Sequence, residues 1–174
     1  MGEYRESMDC LDISLQSNPN EPKNWFQKAQ LLRLMERFEE SLLYYEKTLD
    51  IDPLMIDALL DKSFLLGLME RYDEAHKSTD EALNFDKGNH YAWNIKGMLY
   101  KNQNNYQKAI NCYDHALDSE EKFSDAWTNK GVAMKKLGNI KDAKECLISA
   151  LKINPLDSNA RIQLEEIGGV DCDE

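Results

Sequence analysis

A spacing of 34 residues recurs along the chain and limits the folds that it can adopt. Pro19 and Pro53 are 34 residues apart, Pro155 follows Pro53 at three times that distance, and Trp93 and Trp127 repeat the spacing. Leucines stand at the same interval without a break, at Leu15, Leu49, Leu83, Leu117 and Leu151. A fixed period of this length is typical of arrays in which each repeat is one small unit stacked on the next.

The period divides the chain into segments once Pro22 is taken as repeat position 1. The predicted segments are an N-terminal half repeat with a single helix (1–21), four full repeats (22–55, 56–89, 90–123 and 124–157), a C-terminal capping helix (158–167) and an acidic tail (168–174). The single helix before the first full repeat indicates either a cap or a chain cut from a longer repeat protein.

Each full repeat has the pattern of two helices joined by a tight turn. In the fourth, Trp127, Gly131 and Met134 share one helical face, and Ile140 and Leu147 begin the apolar stripe of a second helix near position 17. The chain has only two valines and three threonines against 22 leucines, which favours helices over strands. We therefore predict an all-α fold of antiparallel helix pairs.

The repeats resemble the tetratricopeptide repeat (TPR) family. The family's pattern is matched by Trp25, Tyr45, Pro53, Trp93, Gly97, Tyr100, Ala109, Tyr113 and Ala116. Leu59 departs from it by replacing a tryptophan, and Lys87 and Glu121 stand where proline is usual. The resemblance implies a right-handed α-solenoid, or superhelix, whose first helices line a concave groove.

That resemblance also implies which residues face the groove. The candidate peptide-binding residues are Phe26, Gln30, Leu60, Asp61, Phe64, Asn94, Ile95, Met98, Lys101, Thr128, Asn129, Val132 and Lys135. We expect the apolar members to be exposed unless a partner covers them, and contiguous patches of that kind usually mark an interface. The amides of Asn94 and Asn129 can donate to and accept from a peptide backbone.

Charge suggests how a partner would be oriented in this groove. Lys135 and Lys136, next to Lys101, could receive an acidic part of the partner, and Asp57 and Asp61 a basic part. The chaperone carboxylate clamp of the family is not expected, because only Asn129 matches its pattern in the third window of repeats.

Lysines occupy position 7 of every full repeat, at Lys28, Lys62, Lys96 and Lys130. Two interpretations remain open. Each aliphatic stem could pack where leucine is usual while its ammonium reaches solvent or an acidic neighbour. Alternatively, the lysines form a positive stripe for an acidic peptide.

No pattern predicts catalysis, a cofactor or a metal site. Cys10, Cys112 and Cys146 all fall at position 23, which separates them by about 10 Å between stacked helices, and a disulfide needs Cα atoms closer than about 7 Å. Cys172 is expected to be a free thiol in the tail.

The formal net charge of −11 argues against nucleic acid as a partner. No apolar run or leader suggests a membrane, so we expect a cytoplasmic protein.

These observations predict a non-catalytic protein–protein interaction module, an adaptor or scaffold that binds a protein or peptide in its groove. One alternative is the repeat region of a larger enzyme or sensor protein. Another is a self-associating assembly module, which could stack through the unpaired first helix or through a patch around Phe26 and Phe64.

Overall fold

The computed structural model describes residues 2–168 and consists there of ten α-helices without a strand. The helices are α1 Gly2–Ser17, α2 Pro22–Leu34, α3 Phe38–Ile51, α4 Ile56–Leu68, α5 Tyr72–Phe85, α6 His90–Asn102, α7 Tyr106–Ser119, α8 Ser124–Lys136, α9 Ile140–Ile153 and α10 Ser158–Gly168. The predicted all-α fold is confirmed. Most of the predicted acidic tail, including Cys172, lies outside the described residues.

The chain divides into two compact units between Phe85 and Asp86. In the first unit, α2 pairs with α3 and α4 with α5, while α1 packs on α2 and α3 on α4. In the second unit, α6 pairs with α7 and α8 with α9, and α7 packs on α8 and α9 on α10. Each helix contacts mainly its neighbours in the chain, which is the packing of a repeat protein.

A left-handed residue joins the two helices of every full repeat. Position 15 has a positive φ at Glu36 (58°), Glu70 (59°), Asn104 (59°) and Gly138 (83°). After α2, the Arg37 N–H donates to the Leu32 carbonyl over 2.9 Å, which closes the helix end as a Schellman motif. This turn is short, so the second helix returns along the first.

In three full repeats, the indole of a tryptophan at position 4 donates a hydrogen bond to the turn that precedes the repeat. The indole N–H groups donate over 2.7–2.9 Å from Trp25 to the Pro19 carbonyl, from Trp93 to Lys87 and from Trp127 to Glu121. In α10 the guanidinium of Arg161 makes the same bond to Pro155 over 2.9 Å. Leu59, at position 4 of the second repeat, has no such donor.

Small residues allow the paired helices to approach closely. A Cβ on Gly97 would overlap the ring of Tyr113, at 2.7 Å from its Cδ1 atom. In the first unit, the buried Ser41 hydroxyl donates to the Ala29 carbonyl over 2.7 Å and so joins α3 to α2. The core therefore lies between the helices of each pair, and in the second unit it continues between α7 and α8 and between α9 and α10.

Candidate functional site

In the first unit, α2 and α4 carry the groove residues predicted there, and a carboxylate lies at their centre. Asp61 accepts a hydrogen bond from Gln30 Nε2 over 2.8 Å, and its Oδ2 atom also accepts one from the Tyr45 hydroxyl over 3.3 Å. The rings of Phe26 and Tyr45 lie 6.0 Å apart. Asp61 thus joins α2, α3 and α4 and is already hydrogen-bonded within the chain.

Arg33, which is not among the candidate residues named above, also contributes to this face. The guanidinium carbon of Arg33 is 5.8 Å from the centroid of the Phe64 ring, within the range of a cation–π contact. Its Nε atom is buried and makes no hydrogen bond within the described residues. The face of the first unit therefore combines two phenyl rings with a cation and an anion.

In the second unit, three polar side chains form a connected chain across α6 and α8. The ammonium of Lys101 donates to Asn129 Oδ1 over 3.0 Å, and Asn129 Nδ2 donates to Asn94 Oδ1 over 3.2 Å. Asn94 is 7% exposed. The buried amide therefore orients Asn129, and Asn129 in turn presents its oxygen to the ammonium.

Lys101 and Lys135 hold the same repeat position but have different partners. Lys135 pairs with the carboxylate of Glu166 on α10 and also donates to Gln163 over 3.2 Å. Lys101 makes no ion pair with any carboxylate among the described residues, and burial lowers its pKa. Its ammonium is consequently desolvated without a compensating negative charge.

Three residues expected to face a ligand are buried, which corrects that part of the prediction. Leu60 is 6% exposed and belongs to the core. Thr128 is 3% exposed, and its hydroxyl donates to Asp157 over 2.7 Å. Asp157 also caps α10 at the Ala160 N–H. Asn94 is buried beneath Asn129. The other ten candidates are half-buried: Phe26, Gln30, Asp61, Phe64, Ile95, Met98, Lys101, Asn129, Val132 and Lys135.

Lysines at position 7 meet acidic residues that lie 16 positions earlier. Lys28 pairs with Asp12, Lys62 with Glu46 over 3.5 Å, and Lys130 with Asp114 over 2.6 Å. Burial opposes the charge of Lys28, but bonds with Asp12 and Tyr44 outweigh it and raise its pKa. These contacts favour packed stems with paired ammonium groups over a free positive stripe.

The acidic partners of these lysines were not among the sequence predictions. Acidic residues recur every 34 positions at Asp12, Glu46, Asp80 and Asp114. Each of them stands 16 positions before the lysine at position 7 of the following repeat, which is the signal in the sequence that predicts the pairs.

Metal binding, disulfides and membrane spans were also considered for the part of the chain that the structure describes. Within residues 2–168 no three side chains of histidine, cysteine, aspartate or glutamate gather as a metal site. Cys10 is exposed there, Cys112 and Cys146 are buried, and none of the three forms a disulfide within the described residues. None of the ten helices is long and apolar enough to cross a membrane.

Family models of the tetratricopeptide repeat match more than half of the chain. One matches residues 90–123, and another matches residues 22–53 and 124–155. No curated protein matches in sequence.

Several solved structures have the same fold. PilW, described as a widely conserved type IV pilus biogenesis factor, is 17% identical with a TM-score of 0.87 over 97% of this chain and 78% of its own. MamA from Desulfovibrio magneticus is 16% identical with a TM-score of 0.75, over 90% of this chain and 89% of its own. YrrB, described as a TPR protein with an unusual peptide-binding site, is 17% identical with a TM-score of 0.66, over 92% of this chain and 83% of its own.

At these identities the likeness shows the fold alone, while the matched repeats show the family. Proteins built from such repeats are generally non-catalytic adaptors. The chain belongs to the tetratricopeptide repeat family and is an all-α solenoid that serves as a protein–protein interaction module.

Proposed function

We propose that the chain is a non-catalytic adaptor or scaffold that binds a segment of a partner protein on the exposed faces of its first helices. We further propose that this segment is acidic and places a carboxylate at Lys101. The observation that carries the proposal is the half-buried ammonium of Lys101, whose hydrogen-bond acceptor is a neutral amide oxygen of Asn129.

The contrast with Lys135 supports a carboxylate as the missing group. Glu166 follows Lys135 by 31 residues and supplies a negative charge, whereas Val132 stands 31 residues after Lys101. A desolvated charge is costly unless it is paired. A carboxylate from outside the chain would provide at Lys101 what Glu166 provides at Lys135.

Apolar residues around Lys101 support a peptide rather than a small anion. Ile95, Met98 and Val132 are half-exposed on the same two helices. Methionine adapts to varied apolar surfaces, and such groups can contact side chains that flank an acidic residue. Lys101 then selects for charge, while its neighbours contribute contact area.

Selection from a displayed library of random peptides tests the proposal directly. We expect peptides selected on the full chain to carry aspartate or glutamate at a recurrent position. Their affinity should fall roughly tenfold in Lys101→Met, which corresponds to one lost charge-assisted bond. The matched control is Lys135→Met, which removes an ammonium that Glu166 already pairs and should leave the affinity nearly unchanged.

The outcomes separate the groove from other modes of action. Selected peptides without acidic residues, or equal losses in both lysine variants, would reject Lys101 as the subsite. If no peptide is enriched and light scattering shows a mass that rises with concentration, self-association replaces peptide binding as the function.

A further inference from the structure

A notch on the first unit lies outside the groove residues. It has a volume of about 410 Å³ and is lined by Glu46, Leu49, Asp50, Pro53, Leu59, Lys62 and Glu81. Leucine and proline side chains provide its apolar lining, and three carboxylates and one ammonium provide its charge. We call it the Leu59 notch.

The notch occurs where the second repeat lacks its tryptophan. In the first repeat, Trp25 stacks on Tyr44 at 5.6 Å and has the ammonium of Lys47 4.8 Å from its ring. In the third repeat, Trp93 lies 4.5 Å from the ring of His115. Lys47 and His115 hold position 26, and the residue at this position in the second repeat is Glu81. Glu81 therefore faces a space that an indole fills elsewhere.

The chain itself shows that a guanidinium can replace the indole. Arg161, at position 4 of α10, donates to the Pro155 carbonyl over 2.9 Å, as the tryptophans donate to theirs. Pro53 is the counterpart of Pro155 for the second repeat. Leu59 has no side-chain donor, so within the described residues the Pro53 carbonyl lacks the hydrogen bond that its counterparts accept.

The charges in the notch favour a cation. Lys62 lies 3.5 Å from Glu46 and balances one of the carboxylates. Asp50 and Glu81 are exposed and make no hydrogen bond or ion pair within the described residues. A planar guanidinium can donate to a carbonyl and a carboxylate at once while its stem lies on apolar groups, which an ammonium does less well.

We propose that the Leu59 notch binds an arginine side chain of a partner protein. The side chain takes the place of the missing indole, its stem packs on Leu49 and Pro53, and its guanidinium is held by Asp50, Glu81 and the Pro53 carbonyl. This site does not depend on the groove or on Lys101.

A titration of the ¹⁵N-labelled full chain with the peptide acetyl-Gly-Arg-Gly-amide, followed by NMR, tests the site. We expect saturable shifts at amides near Asp50, Leu59 and Glu81, with a dissociation constant of about 1 to 10 mM for a single side chain. Leu59→Trp should weaken binding by roughly fivefold or more because the indole fills the notch. This variant restores the residue that the other repeats use, so it should fold.

A charge variant and a matched control complete the design. Asp50→Asn with Glu81→Gln should weaken binding as Leu59→Trp does. Asp118 is the counterpart of Asp50 in the third repeat, and Trp127 stands there in place of Leu59. Asp118→Asn should therefore leave the affinity for the arginine peptide unchanged. The proposal is overturned by shifts that do not saturate, by equal binding to Leu59→Trp, or by equal binding of acetyl-Gly-Lys-Gly-amide or acetyl-Gly-Trp-Gly-amide.

Discussion

At the scale of single residues, two tyrosines at the same repeat position have different environments. Tyr45 and Tyr113 are both 0% exposed, and burial raises the pKa of each hydroxyl. The Tyr45 hydroxyl donates to Asp61, but the Tyr113 hydroxyl has no hydrogen-bond partner within the described residues. Asn129, the counterpart of Asp61, is instead bonded to Lys101 and Asn94.

This difference predicts opposite effects of the same substitution. Tyr113→Phe removes a buried hydroxyl without a partner and should raise the free energy of unfolding by about 1 kcal/mol. Tyr45→Phe removes a hydrogen bond and leaves Asp61 with one partner fewer, so it should lower that free energy by about 1 kcal/mol. Urea unfolding of both variants checks the prediction, and a loss of equal size in both would contradict it.

At the scale of helices, ion pairs connect the second helix of one repeat to the first helix of the next. Lys130 on α8 lies 2.6 Å from Asp114 on α7, and its side chain is 16% exposed. Lys62 on α4 lies 3.5 Å from Glu46 on α3, with 21% of its side chain exposed. Each pair therefore links two neighbouring repeats within its unit.

A double-mutant cycle measures what the closer pair contributes. Lys130→Met keeps the aliphatic stem and Asp114→Asn keeps the shape, so the cycle isolates the charge interaction. We expect a favourable coupling of about 0.5 to 1 kcal/mol in urea unfolding, which decreases with added salt. The same cycle on Lys62 and Glu46 is the control and should give a smaller coupling. Coupling that is absent at Lys130, or equal in both cycles, would reject a role for the close contact.

At the scale of the whole molecule, the sequence predicted the helices better than the surface they expose. Each repeat position occurs four times in the chain, so one unusual residue does not obscure the pattern of helices. The second helices were expected to begin near position 17, and they do, at Phe38 and Tyr72 among others. Exposure depends on individual neighbours. The buried Thr128 hydroxyl donates a hydrogen bond to Asp157, and Lys135 is paired because α10 supplies Glu166. Neither partner follows from the repeat position alone.

Because each repeat packs mainly on its neighbours, we expect a core substitution to destabilise mainly the helices close to it. Leu147 is 0% exposed and packs among Trp127, Met134 and Leu164, all in the second unit. Leu147→Ala should cost about 2 to 4 kcal/mol through the lost contacts and the cavity left behind. In a repeat array each unit is stabilised mainly by its neighbours, so this loss should open nearby helices first.

Hydrogen–deuterium exchange followed by mass spectrometry can locate the loss. We expect faster amide exchange in α8, α9 and α10 of Leu147→Ala, and nearly unchanged exchange in α2 and α3 of the first unit. Leu147→Met, which keeps most of the buried volume, is the control and should change exchange little. A uniform increase from α2 to α10 would mean that the chain opens as one cooperative body. In that case a ligand held at Lys101 would stabilise the first unit as strongly as the second, whereas local opening confines its protection to the helices around α6 and α8.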